Sequence, residues 1–151
     1  MEKKDRRHFE KVPLEGIFRL KVYRSGVLVE EHEDSNLIVN EARIQMACLV
    51  AGEGAGRHIA GIAFGTNGTL PNAADKTITN QYARPVEGFS YPAMGQVQFD
   101  WQLPVTENNG LAILEFGLLT EDGTLFARRV RSVPINKEAD ISLEGQWVII
   151  F

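Results

Sequence analysis

Residues 96–103 read Gln-Val-Gln-Phe-Asp-Trp-Gln-Leu, and their alternation decides the class of fold. Val97, Phe99, Trp101 and Leu103 fall on one side of an extended chain, and Gln98, Asp100 and Gln102 fall on the other. Side chains along a strand point to opposite faces in turn, so one face here is dry and the other wet. Downstream, Glu107-Asn108-Asn109-Gly110 is a turn and Leu111–Leu119 a second strand. Asp122-Gly123 then leads into a third, Thr124–Val130. An Asp-Gly connection between extended runs reads as an antiparallel hairpin. The tail adds Ile141–Leu143 and Gln146–Phe151, in which Trp147, Ile149 and Phe151 share a face.

Upstream, Ile17–Arg24 and Val27–Glu33 alternate in the same way and meet at Ser25-Gly26, a second hairpin. His58–Phe64 is a further strand. One helix is expected over 41–51, capped by Asn40, with Glu41 in its first turn and Gly52 at its end. Ile44, Ala47, Cys48 and Ala51 form its apolar stripe, widened by Met46, Leu49 and Val50, so this helix should be covered. Residues 69–93, with Pro71, Pro85 and Pro92, read as a long loop holding a short strand near Thr77–Arg84. Most connections are too short for crossover helices. The predicted fold is therefore mainly β, an antiparallel β-sandwich of jelly-roll-like or immunoglobulin-like kind with one short packed helix. Residues 1–14 are expected to be a charged flexible arm, and 15–151 a single domain.

Composition removes several functions. One cysteine excludes an intramolecular disulfide and any site needing two thiolates. Sixteen basic against twenty acidic residues offer nucleic acid and anionic membranes no general attraction. No apolar run approaches the roughly 18 residues of a membrane-spanning helix. The start, MEKKDRRHFEKVP, has no apolar core of a secretory signal, so synthesis in a reducing cytoplasm is expected.

Catalytic patterns are sparse. His32-Glu33-Asp34 has no second histidine at ligand spacing, and Cys48 sits on the helix stripe as a buried thiol. Gly52-Glu53-Gly54-Ala55-Gly56 follows a helix, the reverse of a dinucleotide loop. Neither a metal nor an organic cofactor is expected, and no catalytic residues are assigned. Glu115 interrupts an apolar strand. Facing inward it needs a partner, Arg128 or Arg129 across the hairpin; otherwise it marks a wet face.

Apolar residues are in surplus on the late strands. Leu111, Ile113 and Leu119 lie on one face of their strand, with Ala112, Leu114, Phe116 and Leu118 on the other. Such a strand should be covered twice, by the core and by the helix, the long loop or another subunit. Ile113, Glu115, Phe116, Leu118, Arg128, Arg129, Trp147 and Phe151 are accordingly the candidate structural or interface residues.

Asn36-Leu37-Ile38-Val39-Asn40 and Ile62-Ala63-Phe64-Gly65-Thr66, taken in order with two later motifs, resemble small structural proteins of tailed phages and prophages. The later motifs are Leu114-Glu115-Phe116-Gly117-Leu118-Leu119 with Asp122-Gly123-Thr124-Leu125-Phe126-Ala127-Arg128, and the closing Trp147-Val148-Ile149-Ile150-Phe151. Leu119 and Thr120 stand where some of those proteins have Phe and Asp, and the loop at 69–93 has no counterpart in the pattern. The resemblance implies a non-enzymatic tail, baseplate or fibre-associated subunit, made in the cytoplasm and incorporated into a virion. Its partners would be copies of itself and other virion proteins. A carbohydrate-binding module, using Trp147 or Tyr82 and Tyr91 on a host surface glycan, is the alternative; a glycan hydrolase comes third.

Overall fold

A computed structural model describes residues 14–151 of the chain. Ser25 and Gly26 both take positive φ, 49° and 79°. That pair of left-handed residues makes a two-residue turn whose twist matches its strands. It joins β1 (Glu15–Arg24) to β2 (Val27–Ile38). After α1 (Asn40–Val50) come β3 (Ile59–Gly65), β4 (Tyr82–Pro85), β5 (Gly88–Ser90) and β6 (Gln96–Leu103). The chain ends with β7 (Ala112–Thr120), β8 (Leu125–Asn136) and β9 (Ile141–Ile150). The last is one strand where the sequence suggested two pieces.

The strands are hydrogen-bonded in the order β4-β3-β7-β8-β2-β1-β9-β6-β5, and each of these pairings is antiparallel. They form one sheet because β2 serves two neighbours. Its residues 27–36 pair with β1, while Leu37 and Ile38 pair with Arg128 and Ala127 of β8. The sheet curls into a half-barrel with 282° of closure. Its outermost strands, β4 and β5, are consecutive in the chain and separated only by Val86 and Glu87. The Val86 N–H donates to Ala60 O at 3.0 Å, and the Glu87 N–H to Asp100 O at 2.7 Å. One short strap thus crosses the gap between β3 and β6.

Aromatic rings fill the curl. Phe18 lies 4.8 Å from Phe116, 4.9 Å from Trp147 and 5.6 Å from Trp101 between ring centroids, and Phe64 lies 5.8 Å from both Trp101 and Phe116. These residues come from β1, β6 and β9 on one side and β3 and β7 on the other, so their packing holds the curvature. Such ring pairs add about 0.5–1.5 kcal/mol each beyond the area they bury.

The doubly apolar β7 is covered twice within one copy of the chain. Ile113, Phe116 and Leu118 face the aromatic core. Leu119 joins Leu125, Ala63, Val39 and Ile78 in a second buried cluster. Ile78 belongs to the long loop and Val39 to the approach to α1. Helix and loop do the covering, and β7 needs no second subunit for it. Ile113 does not share a face with Leu119 as strict alternation required. The β7–β8 register shifts between Ile113 and Glu115, which pair with Ile135 and Val130.

The helix differs most from expectation. Its buried residues are Ala42 and Gln45, whereas Ile44, Leu49 and Val50 are exposed and Cys48 is half-buried. Val39, not Asn40, is the N-cap, and the Asn40 N–H donates to Ala73 O at 2.8 Å. Burial of Val39 fixes how the helix enters, so positions 39, 42 and 45 turn toward the sheet. Thr77–Arg84 yields strand only from Tyr82, because Ile78 turns down into the second cluster. The expected arm, 1–14, lies outside the described residues except for Leu14, which packs against the core.

Candidate functional site

Glu115 and Arg128, on adjacent strands, are 0% and 2% exposed. Arg128 Nε donates to Glu115 Oε1 at 3.1 Å. Its Nη1 donates to Thr69 O and Asp75 Oδ2, both at 3.0 Å, and Nη2 to Asn67 O at 3.0 Å. The other Glu115 oxygen accepts the N–H groups of Asn67 at 2.5 Å and Thr79 at 3.2 Å. Both carboxylate oxygens and all three guanidinium nitrogens are therefore engaged, chiefly by the backbone of the loop. The pair latches residues 67–79 over β7, as buried charges must be paired and hydrogen-bonded. Gly65 and Gly117 let Ile78 approach. A Cβ on Gly65 would lie 2.4 Å from Ile78 Cγ2, and one on Gly117 would lie 2.8 Å from Ile78 Cγ1.

Of the two arginines open to Glu115, the structure selects Arg128. Arg129 instead donates to Asp34 at 2.6 Å, and Arg131 to Glu30 at 2.7 Å. Each arginine meets a carboxylate, so the cluster is not a bare basic patch. Partial burial pushes the Glu30 carboxyl up, but hydrogen bonds from Arg131 and His32 outweigh it and hold its pKa below the usual range. Ile113, Phe116, Leu118 and Trp147 are core residues. Trp147 has no exposed face to stack on a sugar. Phe151, expected beside Trp147 and Ile149, is 57% exposed because it lies past the end of β9.

Phe151 belongs to an apolar opening. A groove of about 620 Å³ lies at the end of the half-barrel where β9 stops and β1, β3 and β6 begin. Met46 and Leu49 of α1 form one wall, and Tyr91, Met94, Val97 and Phe151 the other, with Arg57 and His58 at the side. The Phe151 N–H donates to Gly95 O at 2.9 Å and fixes that wall. Tyr91 and Met94 are 73% and 100% exposed. A second groove, about 550 Å³, runs over β1, β9 and β6 but is lined by Arg19, Lys21, Glu31, Glu33, Asp100 and Glu144.

Gln45 ties the helix wall to the β7–β8 turn. Its Nε2 donates to both Asp122 oxygens at 3.0 Å, and its Oε1 accepts from Arg57 Nη1 at 2.7 Å. The Thr120 hydroxyl and then Gln45, both donating to Asp122, hold that carboxyl far below the ordinary aspartate range. A glutamine on an apolar helix was the available signal, and helical periodicity discounts it. Lys137 was also missed. Its ammonium is buried, donating to Asn109 Oδ1 at 2.8 Å, Glu138 O at 3.1 Å and Val105 O at 3.3 Å. Burial lowers its pKa, while Asp140 and Glu107 oppose that shift. Tyr82 donates to Glu107 at 2.5 Å, which raises its phenol pKa.

Among the described residues, no group of three or more His, Cys, Asp or Glu is placed to hold a metal ion. None of their helices is long and apolar enough to cross a membrane. Compared with family models, curated proteins and solved structures, the chain matches none.

Proposed function

We propose that this chain is a non-enzymatic structural subunit of a tailed phage or prophage, acting through contacts with its own copies and other virion proteins. The observation that carries the assembly reading is the apolar groove between α1 and Phe151, whose walls expose Leu49, Tyr91 and Met94 to water. Contiguous exposed apolar surface of this kind marks an interaction site. The buried charge pair, by contrast, is consumed in holding the loop. The ordered motifs at 36–40, 62–66, 114–128 and 147–151 support the phage attribution. On this reading the half-barrel is an open variant of the antiparallel sandwich, with β2 shared between its layers. The subunit would be made in the cytoplasm and then incorporated into a particle.

Light scattering across a concentration series tests the proposal. The protein should self-associate, and Leu49→Glu with Met94→Glu should weaken that association by about tenfold or more, equivalent to about 1.4 kcal/mol. A chain that stays monomeric and ignores other virion proteins, with or without the charges, removes the assembly reading. A second reading, glycan binding, draws on Phe89 and Tyr91, which are exposed with their rings 5.8 Å apart. Glycan-array binding lost in Tyr91→Ala would favour it.

A further inference from the structure

We propose that the free edge of β2 takes up an extended segment of another protein as an added strand, and that this segment carries Lys or Arg at alternate positions. The surface shares no residue with the groove of Met94 and Phe151 and does not rest on the reading given to it. Backbone direction gives the first argument. The Val39 N–H donates to Phe126 O of β8 at 3.1 Å. Alternate residues of a strand face the same neighbour, so the N–H and C=O groups of Leu37, Ser35, Glu33 and Glu31 point that way too. Yet β8 pairs only with Leu37 and Ile38. It then sets four residues, 131–134, against Leu114 alone, while β2 runs on beside β1 to Val27. The Ser35 N–H turns back to Asp34 Oδ1 at 2.8 Å, and among the described residues no strand pairs with this edge at Glu31 and Glu33. Such an edge accepts an extended chain by main-chain hydrogen bonds.

Charge gives the second argument. Glu30 and Asp34 lie on the inner face, opposite the core residues Val22 and Phe18, where Arg131 and Arg129 bond them at 2.7 and 2.6 Å. These arginines cross the gap by side chains alone. Glu31 and Glu33 are exposed on the outer face, opposite Lys21 and Arg19. Like charges directly across from each other destabilise a strand pair, and opposite charges stabilise it. A second copy of β2 would set the same acids against Glu31 and Glu33, so the edge rejects its own kind and selects a basic strand. Two places past the second base, an apolar side chain meets Val29, Val133 and Pro134, which line an opening of about 410 Å³.

The test titrates the full chain with the heptapeptide Thr-Thr-Lys-Thr-Lys-Thr-Val, its lysines set opposite Glu33 and Glu31, and reads amide NMR shifts and hydrogen exchange. The peptide should bind about fivefold or more tighter than its counterpart with Glu in place of Lys, and the Glu31 and Glu33 amides should gain protection. Glu31→Gln with Glu33→Gln should remove that preference, and Glu31→Lys with Glu33→Lys should reverse it. Methylating the two lysine backbone nitrogens keeps the charge but deletes the donors that face β2, so binding should weaken by about tenfold or more. Equal binding of the methylated peptide would leave a charge contact without an added strand and overturn the proposal. Absence of binding at millimolar peptide, no preference between Lys and Glu, or protection gained only on other strands overturns it as well. Leu49→Glu with Met94→Glu should leave this binding unchanged, so the edge and the groove stand or fall separately.

Discussion

Replacing Arg128 by Met keeps the length of the buried stem and deletes the charged head. Glu115, 0% exposed, then keeps its carboxylate and the two N–H donors of Asn67 and Thr79 but has no counter-ion. The carbonyls of Asn67 and Thr69 also lose their donor. Breaking one side of a buried ion pair costs about 3–5 kcal/mol. At roughly 2–4 °C per kcal/mol for a chain of this size, Arg128→Met should melt about 6–20 °C lower. Glu115→Met should cost a similar amount, because Asp75, which is partly in water, is then the one carboxylate left to Arg128 beside the carbonyls of Asn67 and Thr69. The double variant leaves no buried unpaired charge. It should cost less than the sum of the singles by about 2–3 kcal/mol, the upper part of the range for residues in one network. Urea unfolding at constant slope measures all three values. Native-state hydrogen exchange adds a local reading: the Asn67 and Thr79 amides should lose protection before the β1 and β9 amides do. Additivity within about 0.5 kcal/mol, or an Arg128→Met cost below about 1 kcal/mol, would show that the latch does not hold the loop.

Two smaller tests concern the same loop and the groove wall. Gly117→Ala should cost about 1–3 kcal/mol by overpacking, and Ile78→Ala should relieve most of it, since the nearest atoms to the new methyl are side-chain atoms of Ile78. Gly65→Ala should resist the same rescue, because Thr79 O also lies 2.6 Å from its Cβ position; equal rescue at both sites would show that Ile78 is not the plug. The Asp122 carboxyl is depressed in the folded chain, so its contribution is full above the unfolded value of about 3.9 and is lost as pH falls below that toward the folded value. Asp122→Asn should therefore be the less stable protein at pH 7, with the two melting curves converging as pH falls from about 4 to 2. Parallel curves would mean that the hydrogen bonds from Thr120 and Gln45 do not favour the charged form.

The long strands were legible because their cause is local, whereas β5 lies in the stretch 69–93 that reads as a loop. In residues 96–103 the alternation that puts Phe99 and Trp101 in the core follows from the pleat alone, and Ser25-Gly26 and Asp122-Gly123 announce their turns by the backbone conformations they tolerate. The inward Glu115 could be read as needing an arginine. Choosing between Arg128 and Arg129 required the register of β8 and the path of a loop whose contacts lie 53 to 61 residues upstream in the chain. The helix misled for the same reason: Ile44, Leu49 and Val50 suit burial, yet Val39 and Gln45 have fixed partners on the sheet and set its rotation.

Periodicity and turn chemistry thus determined that this chain is antiparallel β, with a dry face on β1, β6 and β9, whereas β2 has no buried residue. Only the tertiary structure decided what lies over the second face of β7, that β2 joins the halves into one curl, and that Phe151 lines a groove. The physical reason is range. Neighbouring residues set backbone direction and side-chain alternation, whereas cover, register and closure arise where Ile78, Arg128 and the β4–β5 strap meet residues far away in sequence.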